Sequence, residues 1–169
     1  MAELPLFGKR EIAFLAALRA ARVEFLVVGL SAAALQGAPV VTRDVDLWVR
    51  DVADEKFLAV LKRFGAAYVP PVGLNPPMIV GKRIDAFALV VSMQGLNSFA
   101  AEYRRSREID VGTTKVRVLP LDRVIASKRA VNRPKDRAVL PVLEDVLRTI
   151  KEARPAQYRV RPRKRAGTR

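Results

Sequence analysis

The 169-residue sequence contains no cysteine and no histidine. Without cysteine there is neither a disulfide framework nor a thiolate metal site, and without histidine the usual zinc ligand sets and Ser-His or Cys-His catalysis are excluded. Any metal must be held by carboxylate oxygens, a donor set that favours hard ions such as Mg²⁺ or Mn²⁺. Any general base is Asp, Glu, Lys or Tyr. Long apolar runs are missing as well. The start, Met1-Ala2-Glu3-Leu4-Pro5 followed by Lys9-Arg10-Glu11, has no apolar signal segment, and later apolar runs fall far short of a membrane span, so a cytoplasmic location is expected.

Acids are scarce beside bases, 17 against 31, leaving a formal net charge of +14 that invites a polyanionic partner. Its distribution is uneven. Arg154, Arg159, Arg161, Arg163, Lys164, Arg165 and Arg169 close the chain with no acid among them, so the tail supplies half of the charge. The expectation is one domain over residues 1–153 and a basic, flexible tail over 154–169, either solvated or acting as a nonspecific phosphate-binding arm. A hydrophobic fraction of 50% with 28% charged residues is the balance of a folded chain and not of a disordered one.

Apolar spacing orders the chain. Ile12, Leu15, Ala16 and Leu18 predict an amphipathic helix over 10–22, and Val23 to Val28 a buried strand ending at Gly29. Ser31 to Leu35 favours helix, stopped by Gly37-Ala38-Pro39. Val45 to Val49 alternates as a strand. Asp54 is placed to cap a helix over 55–64 closed by Gly65. The run from Pro70 to Pro77 is a loop. Ile79-Val80, Gly81-Lys82-Arg83 and Ile84 to Val91 read as a hairpin leading into a long buried strand. A short helix follows near Leu96 to Tyr103, then a hairpin over Arg107 to Leu119, a helix over 121–131, and a last helix over 136–150 with Pro141 near its start. This mixture, with helices last, is an α+β arrangement around one sheet.

Within this frame Asp44 and Asp46 lie two apart in a strand, so both carboxylates project to one face while Val45 turns to the core. Cα atoms roughly 6 to 7 Å apart let them converge on cations of the kind used in two-metal phosphoryl transfer. Asp85 heads an otherwise apolar strand. If that strand lies beside the Asp44 strand, the third acid completes a triad able to bind metal and take a proton from a hydroxyl; otherwise it is an acid at a wet strand end. Val27-Val28-Gly29-Leu30-Ser31 is a strand, a turn and a helix start, which suits an anion or serves only as a structural cap.

Together these segments resemble the nucleotidyltransferase superfamily of DNA polymerase β: an apolar strand, Gly-Gly or Gly-Ser, a helix, Asp-x-Asp, and later a third Asp. VVGLSAAALQGAPVVTRDVDLWV is similar to the small bacterial and archaeal branch related to abortive-infection type IV toxin nucleotidyltransferases. Leu121 to Lys128 and then Arg133-Pro134-Lys135-Asp136 resemble its carboxy-terminal part. The resemblance implies a mixed sheet flanked by helices. It implies Mg²⁺ or Mn²⁺ on Asp44, Asp46 and Asp85, which also act in catalysis. It further implies a nucleoside triphosphate such as ATP held by Gly29, Ser31, Lys128, Arg133, Lys135 and Asp136. Nucleotidyl transfer to a hydroxyl follows, with RNA, tRNA ends included, as the first acceptor to consider and a protein partner also open. The sequence departs from the pattern at Leu30, where the branch has Gly or Ser, and at Val40, where it often has Arg. Leu30 keeps in view a catalytically silent nucleotide- or nucleic-acid-binding member, and the charged tail, able to fold on a target, an antitoxin-like interaction module.

Overall fold

The computed structural model describes residues 6–153, so the expected basic tail lies outside the described residues. The chain opens with α1 (Lys9–Ala20), which ends in a Schellman turn: Val23 N–H reaches the Leu18 carbonyl at 3.0 Å and Arg22 takes φ 59°. It is followed by β1 (Phe25–Val28), buried throughout, and α2 (Gly29–Leu35). Strand β2 (Val45–Val49) has the predicted bounds, and α3 (Glu55–Arg63) starts on the Asp54 side chain, which accepts from Lys56 N–H at 2.9 Å. Gly65, at φ 67°, supplies the left-handed turn beyond its end.

The next segment differs from the predicted hairpin. β3 (Ala67–Val69) and β4 (Met78–Val80) pair with each other, antiparallel, as a separate two-stranded sheet, and the following strand joins the main sheet instead. That strand, β5 (Phe87–Val90), is shorter than the predicted Ile84–Val91. Residues 81–86 are used in turns, with Ile84 N–H on the Gly81 carbonyl and Phe87 N–H on the Ile84 carbonyl at 3.3 and 3.2 Å. Fully buried Ile84 anchors the turn and leaves its neighbour Asp85 exposed.

After β5 come α4 (Phe99–Arg105), the hairpin of β6 (Arg107–Val111) and β7 (Thr114–Val118), α5 (Leu121–Val131) and α6 (Pro134–Ala153). The last helix begins earlier than expected because Pro134 fits a first helical position, where its missing N–H costs nothing. It also runs through Pro141, whose ring lies on an exposed face. Asn132, at φ 54°, makes the left-handed break between α5 and α6.

The five-stranded sheet has the order β5-β2-β1-β7-β6, with β1/β2 and β6/β7 antiparallel and β1/β7 and β2/β5 parallel. The α+β class and mixed sheet therefore hold. Register divides the sheet into two faces. Val27, Leu47 and Leu89 align across three strands, and on their side Phe87 meets Phe14 of α1 at 4.9 Å between ring centroids. On the other side Val28, Asp46 and Ala88 form a row, and Trp48 meets Phe99 of α4 edge-on at 5.4 Å. The first face is core; the second is where a polar site can open.

Two side-chain devices fix the helices over that second face. Gln36 donates to the Ala32 and Leu119 carbonyls and accepts from Leu121 N–H, tying the end of α2 to the start of α5. Fully buried Glu102 accepts from Asn97 N–H at 3.0 Å and from Arg123 in a fork with bonds of 2.7, 3.0 and 3.2 Å, tying α4 and its preceding loop to α5. Burial pushes the Glu102 carboxyl up, but Arg123 and Asn97 outweigh it and hold it below the ordinary value. Glu102→Ala strands a largely buried guanidinium, and equilibrium urea unfolding is expected to show a loss of stability on the order of 3 kcal/mol, against a negligible loss for the exposed pair member Glu144→Ala.

Candidate active site

At the junction of β1 and α2, Gly29 takes φ 63°, a conformation that glycine adopts without strain. The same residue faces β2 so closely that a Cβ built on it would collide with the Asp46 carboxylate. A side chain here would therefore meet two obstacles, the left-handed turn and the acid. Asp46 lies opposite Val28 in the ladder and is partly exposed. Asp44 precedes β2 and is exposed, and the Thr42 hydroxyl donates to its carbonyl at 2.9 Å.

A cavity of about 420 Å³ opens above Asp46. Val28, Gly29, Asp46 and Val90 form its floor, and α5 supplies one wall through Val124, Ser127, Lys128 and Val131. Those four are spaced i, i+3, i+4, i+7, so they share one helical face. Arg133 and Asp136 also line it, as do Ser92, Met93 and Gln94 in the loop after β5.

The charges here are of two kinds. Asp136 is fully buried and saturated: it accepts from Lys128 Nζ at 2.9 Å, from Arg133 N–H at 3.2 Å, and from Arg133 Nε and Nη2 at 2.7 and 3.3 Å. The Arg133 hydrogen bonds, joined by Lys128, overcome the opposite push of burial and hold its carboxyl well below the usual range. Asp46, by contrast, accepts no side-chain hydrogen bond among the described residues. Burial raises its carboxyl, and Asp44 adds to the rise; Lys128, Lys135 and Arg133 oppose it. A half-buried acid with no donor, beside a second acid, is a place where a cation is welcome.

The structure thus brings Gly29, Asp46, Lys128, Arg133 and Asp136 to one cavity, with Asp44 beside it and Lys135 close enough to act on Asp46 through its charge. It does not bring Asp85 into the same cluster. Among the described residues no three acids gather to hold one ion, and Asp85 stands in the exposed turn before β5, where the Ala86 carbonyl accepts from Val45 N–H at 2.7 Å. The position level with Asp46 on β5 is Ala88. Ser31 is fully buried and donates its hydroxyl to the Val28 carbonyl at 2.8 Å, so it caps the strand end and does not line the cavity. Leu30 packs against the core and also stays out of the cavity. Ser92, Gln94 and Ser127 escaped sequence reasoning; the stripe spacing of α5 is the one signal that marks Ser127 as a companion of Lys128.

Comparison with protein families finds no match to this sequence, and comparison with curated proteins finds none. Solved structures do match. The solution structure of the antibiotic-resistance factor ANT(2'')-Ia superposes with a TM-score of 0.56 at 11% identity, covering 83% of this chain and 82% of that one. The crystal structure of ANT(2'')-Ia in complex with adenylyl-2''-tobramycin gives 0.54 at 13% identity, covering 82% and 87%. The fold is nucleotidyltransferase-like. At this identity the likeness concerns the fold; the toxin-related branch is not shown by it.

Two outcomes follow from the site. Gly29→Ala must distort the turn or push Asp46 aside, and equilibrium urea unfolding is expected to show a loss of stability of about 1 kcal/mol or more. For Asp136, the depressed folded-state value means the unfolded chain binds the proton first as pH falls. Its stabilisation is therefore complete above about pH 4 and is lost as pH drops below that toward the folded-state value. In Asp136→Asn, urea unfolding measured from pH 6 to pH 2.5 is expected to start from lower stability and to fall less steeply below pH 4 than in the wild type.

Proposed function

We propose that this chain is a metal-dependent nucleotidyltransferase that moves a nucleoside monophosphate from an NTP to a hydroxyl acceptor. The observation that carries the reading is the placement of Asp46: a half-buried carboxylate without a donor, on a glycine turn, across one cavity from Lys128 and Arg133. Magnesium is commonly held by one or two carboxylates together with substrate phosphates. Asp44 and Asp46 fit an ion of that kind, Mg²⁺ or Mn²⁺, arriving with the triphosphate. When bound, it supplies charge neutralisation at the phosphates.

The remaining work belongs to side chains. Gly29 lets the phosphates come close to the backbone at the floor. Lys128 and Arg133, with Lys135 nearby, offset the charge that develops on the departing pyrophosphate. Asp136 holds Lys128 and Arg133 in place through its hydrogen bonds. Asp85, exposed in the turn that abuts the start of β2 and outside the cavity, is given no part in the transfer. Ser31 acts from behind, fixing the end of β1.

ANT(2'')-Ia was crystallised with an adenylylated aminoglycoside, a class of polyamine that is cationic near neutral pH. A chain of net charge +14 repels such an acceptor and attracts a polyanion. RNA, including a tRNA end, is therefore the acceptor we favour. Leu30, the residue that most favoured a catalytically silent member, is partly buried against the core and does not line the cavity. The test incubates the full chain with each α-labelled NTP, Mg²⁺ or Mn²⁺, and either total RNA or an aminoglycoside. Label is expected on RNA, with Asp44→Ala plus Asp46→Ala reducing the rate roughly a hundredfold or more. Equal labelling by the double variant overturns the proposal, and labelling of the aminoglycoside alone overturns the acceptor.

A further inference from the structure

An antiparallel sheet with one face on the core ordinarily turns a polar face to water. The β3–β4 sheet does not. Its register pairs Ala67 with Val80, Tyr68 with Ile79 and Val69 with Met78. Tyr68 and Ile79 pack on the core, so alternation turns Ala67, Val69, Met78 and Val80 to the opposite side, and none of those four is polar. Met78 is 39% and Val80 50% exposed. Three residues further along both strands, the bridge between Val72 and Asn75 keeps the same register across Pro70-Pro71 and Pro76-Pro77, and Leu74 in the turn stands fully in water. Half of the eight large apolar residues exposed among the described residues thus lie between Val72 and Val80. Exposure concentrated in this way, unlike scattered single residues, marks a contact site.

This arm is closed at its base. A Cβ added to Gly81 would come within 2.6 Å of the Ala66 Cβ and 3.0 Å of the Gly65 carbonyl oxygen, so the chain enters and leaves the arm at one place. Lys62 and Arg63 precede it and Lys82 and Arg83 follow it. All four are exposed, and none forms an ion pair among the described residues. From Lys56 to Ile84 the sequence holds five basic residues and no acid, Asp85 being the first. Strand addition is poorly served here, because β3 and β4 are three residues each and the four prolines beyond them have no N–H to donate. What the arm offers is side chains, apolar on its outer face and cationic at its base.

An apolar sheet face is stably covered by another layer, and a helix with an apolar stripe is an element that lies on one. We propose that the arm over residues 67–80 is the docking site for an amphipathic helix of another protein. Its apolar stripe lies on Ala67, Val69, Met78 and Val80, and its acidic flank meets Lys62, Arg63, Lys82 and Arg83. Charge selects this occupant. A second copy of the chain brings a net charge of +14 to a base that is already cationic, whereas glutamates and aspartates on a helix complement it. The prolines on either side restrict the tip before binding, which lowers the ordering cost of presenting Leu74. No arm residue lines the cavity of Asp46, so the surface is independent of the nucleotidyl-transfer reading.

Fluorescence anisotropy on the full chain tests this with two synthetic helices that share a leucine stripe, one flanked by glutamates and one by lysines. The glutamate helix is expected to bind and the lysine helix not. Leu74→Ser combined with Val80→Ser changes no charge and replaces only exposed side chains, and is expected to weaken binding roughly tenfold or more. Lys82→Ser combined with Arg83→Ser is expected to weaken it and to flatten its salt dependence. Val142→Ser, exposed on α6, is expected to leave binding unchanged. Circular dichroism of each variant controls for folding. Failure of the glutamate helix to bind, or binding that survives Leu74→Ser with Val80→Ser, overturns the proposal. Sedimentation of the wild type as a dimer that these two substitutions convert to monomer gives the face to a second copy and overturns it too. Mixed phosphatidylserine and phosphatidylcholine vesicles suit the same apolar and basic chemistry, and arm-dependent binding to them without binding of the glutamate helix overturns the partner class.

Discussion

The approach of Gly29 to Asp46 is the constraint on which the rest of the site depends. The absence of a side chain at Gly29 lets the turn and the carboxylate come this close with neither having to shift. Once they are there, the acid is half removed from water and has a second acid two residues away. The fold must then supply positive charge from elsewhere in the chain. It does so with α5 and α6, whose Lys128, Arg133 and Lys135 all act on Asp46. A local requirement of the β1–α2 turn thus dictates what the last two described helices must carry.

The buried acids of this molecule fall into opposite classes, and the difference is hydrogen bonding. Asp136 and Glu102 are both fully buried, and each receives several charge-assisted bonds. Their negative charge is spent on holding helices together, and removing either one leaves a cation without its partner. Asp46 is less buried yet less satisfied. In energetic terms the first two are fasteners and the third is an open valence, the distinction that separates scaffold from chemistry when sequence letters are identical.

Much of this was legible from spacing alone. The alternation of Val45 to Val49 marked a strand whose bounds the structure reproduces, and α5 emerged from Leu121 to Val131 unchanged. The 107–118 hairpin was visible in its Gly112-Thr113 turn. What failed was pairing between short segments. Ala67 to Val69 is too brief to show a period, so β4 had no visible partner and was joined to the wrong strand. Asp85 was placed in a strand because its neighbours are apolar, but the anchoring of Ile84 decided otherwise. Ser31 misled for a related reason: a serine at a strand-to-helix turn looks the same whether its hydroxyl faces a ligand or the preceding carbonyl. Gln94 and Ser127 carry no signal in isolation, since only the folded loop and helix bring them to one cavity.

The separate β3–β4 sheet has an architectural consequence. It forms no ladder with the five-stranded sheet, and its connecting segment, Pro70 to Pro77, carries exposed Val72 and Leu74 and none of the residues that line the cavity. The small sheet itself is not separable, because β4 packs beside β5 and Tyr68 and Ile79 lie against the core. Its connecting segment alone stands apart, so changes of length or sequence between Pro70 and Pro77 alter the surface offered to other molecules while the interior arrangement stays the same.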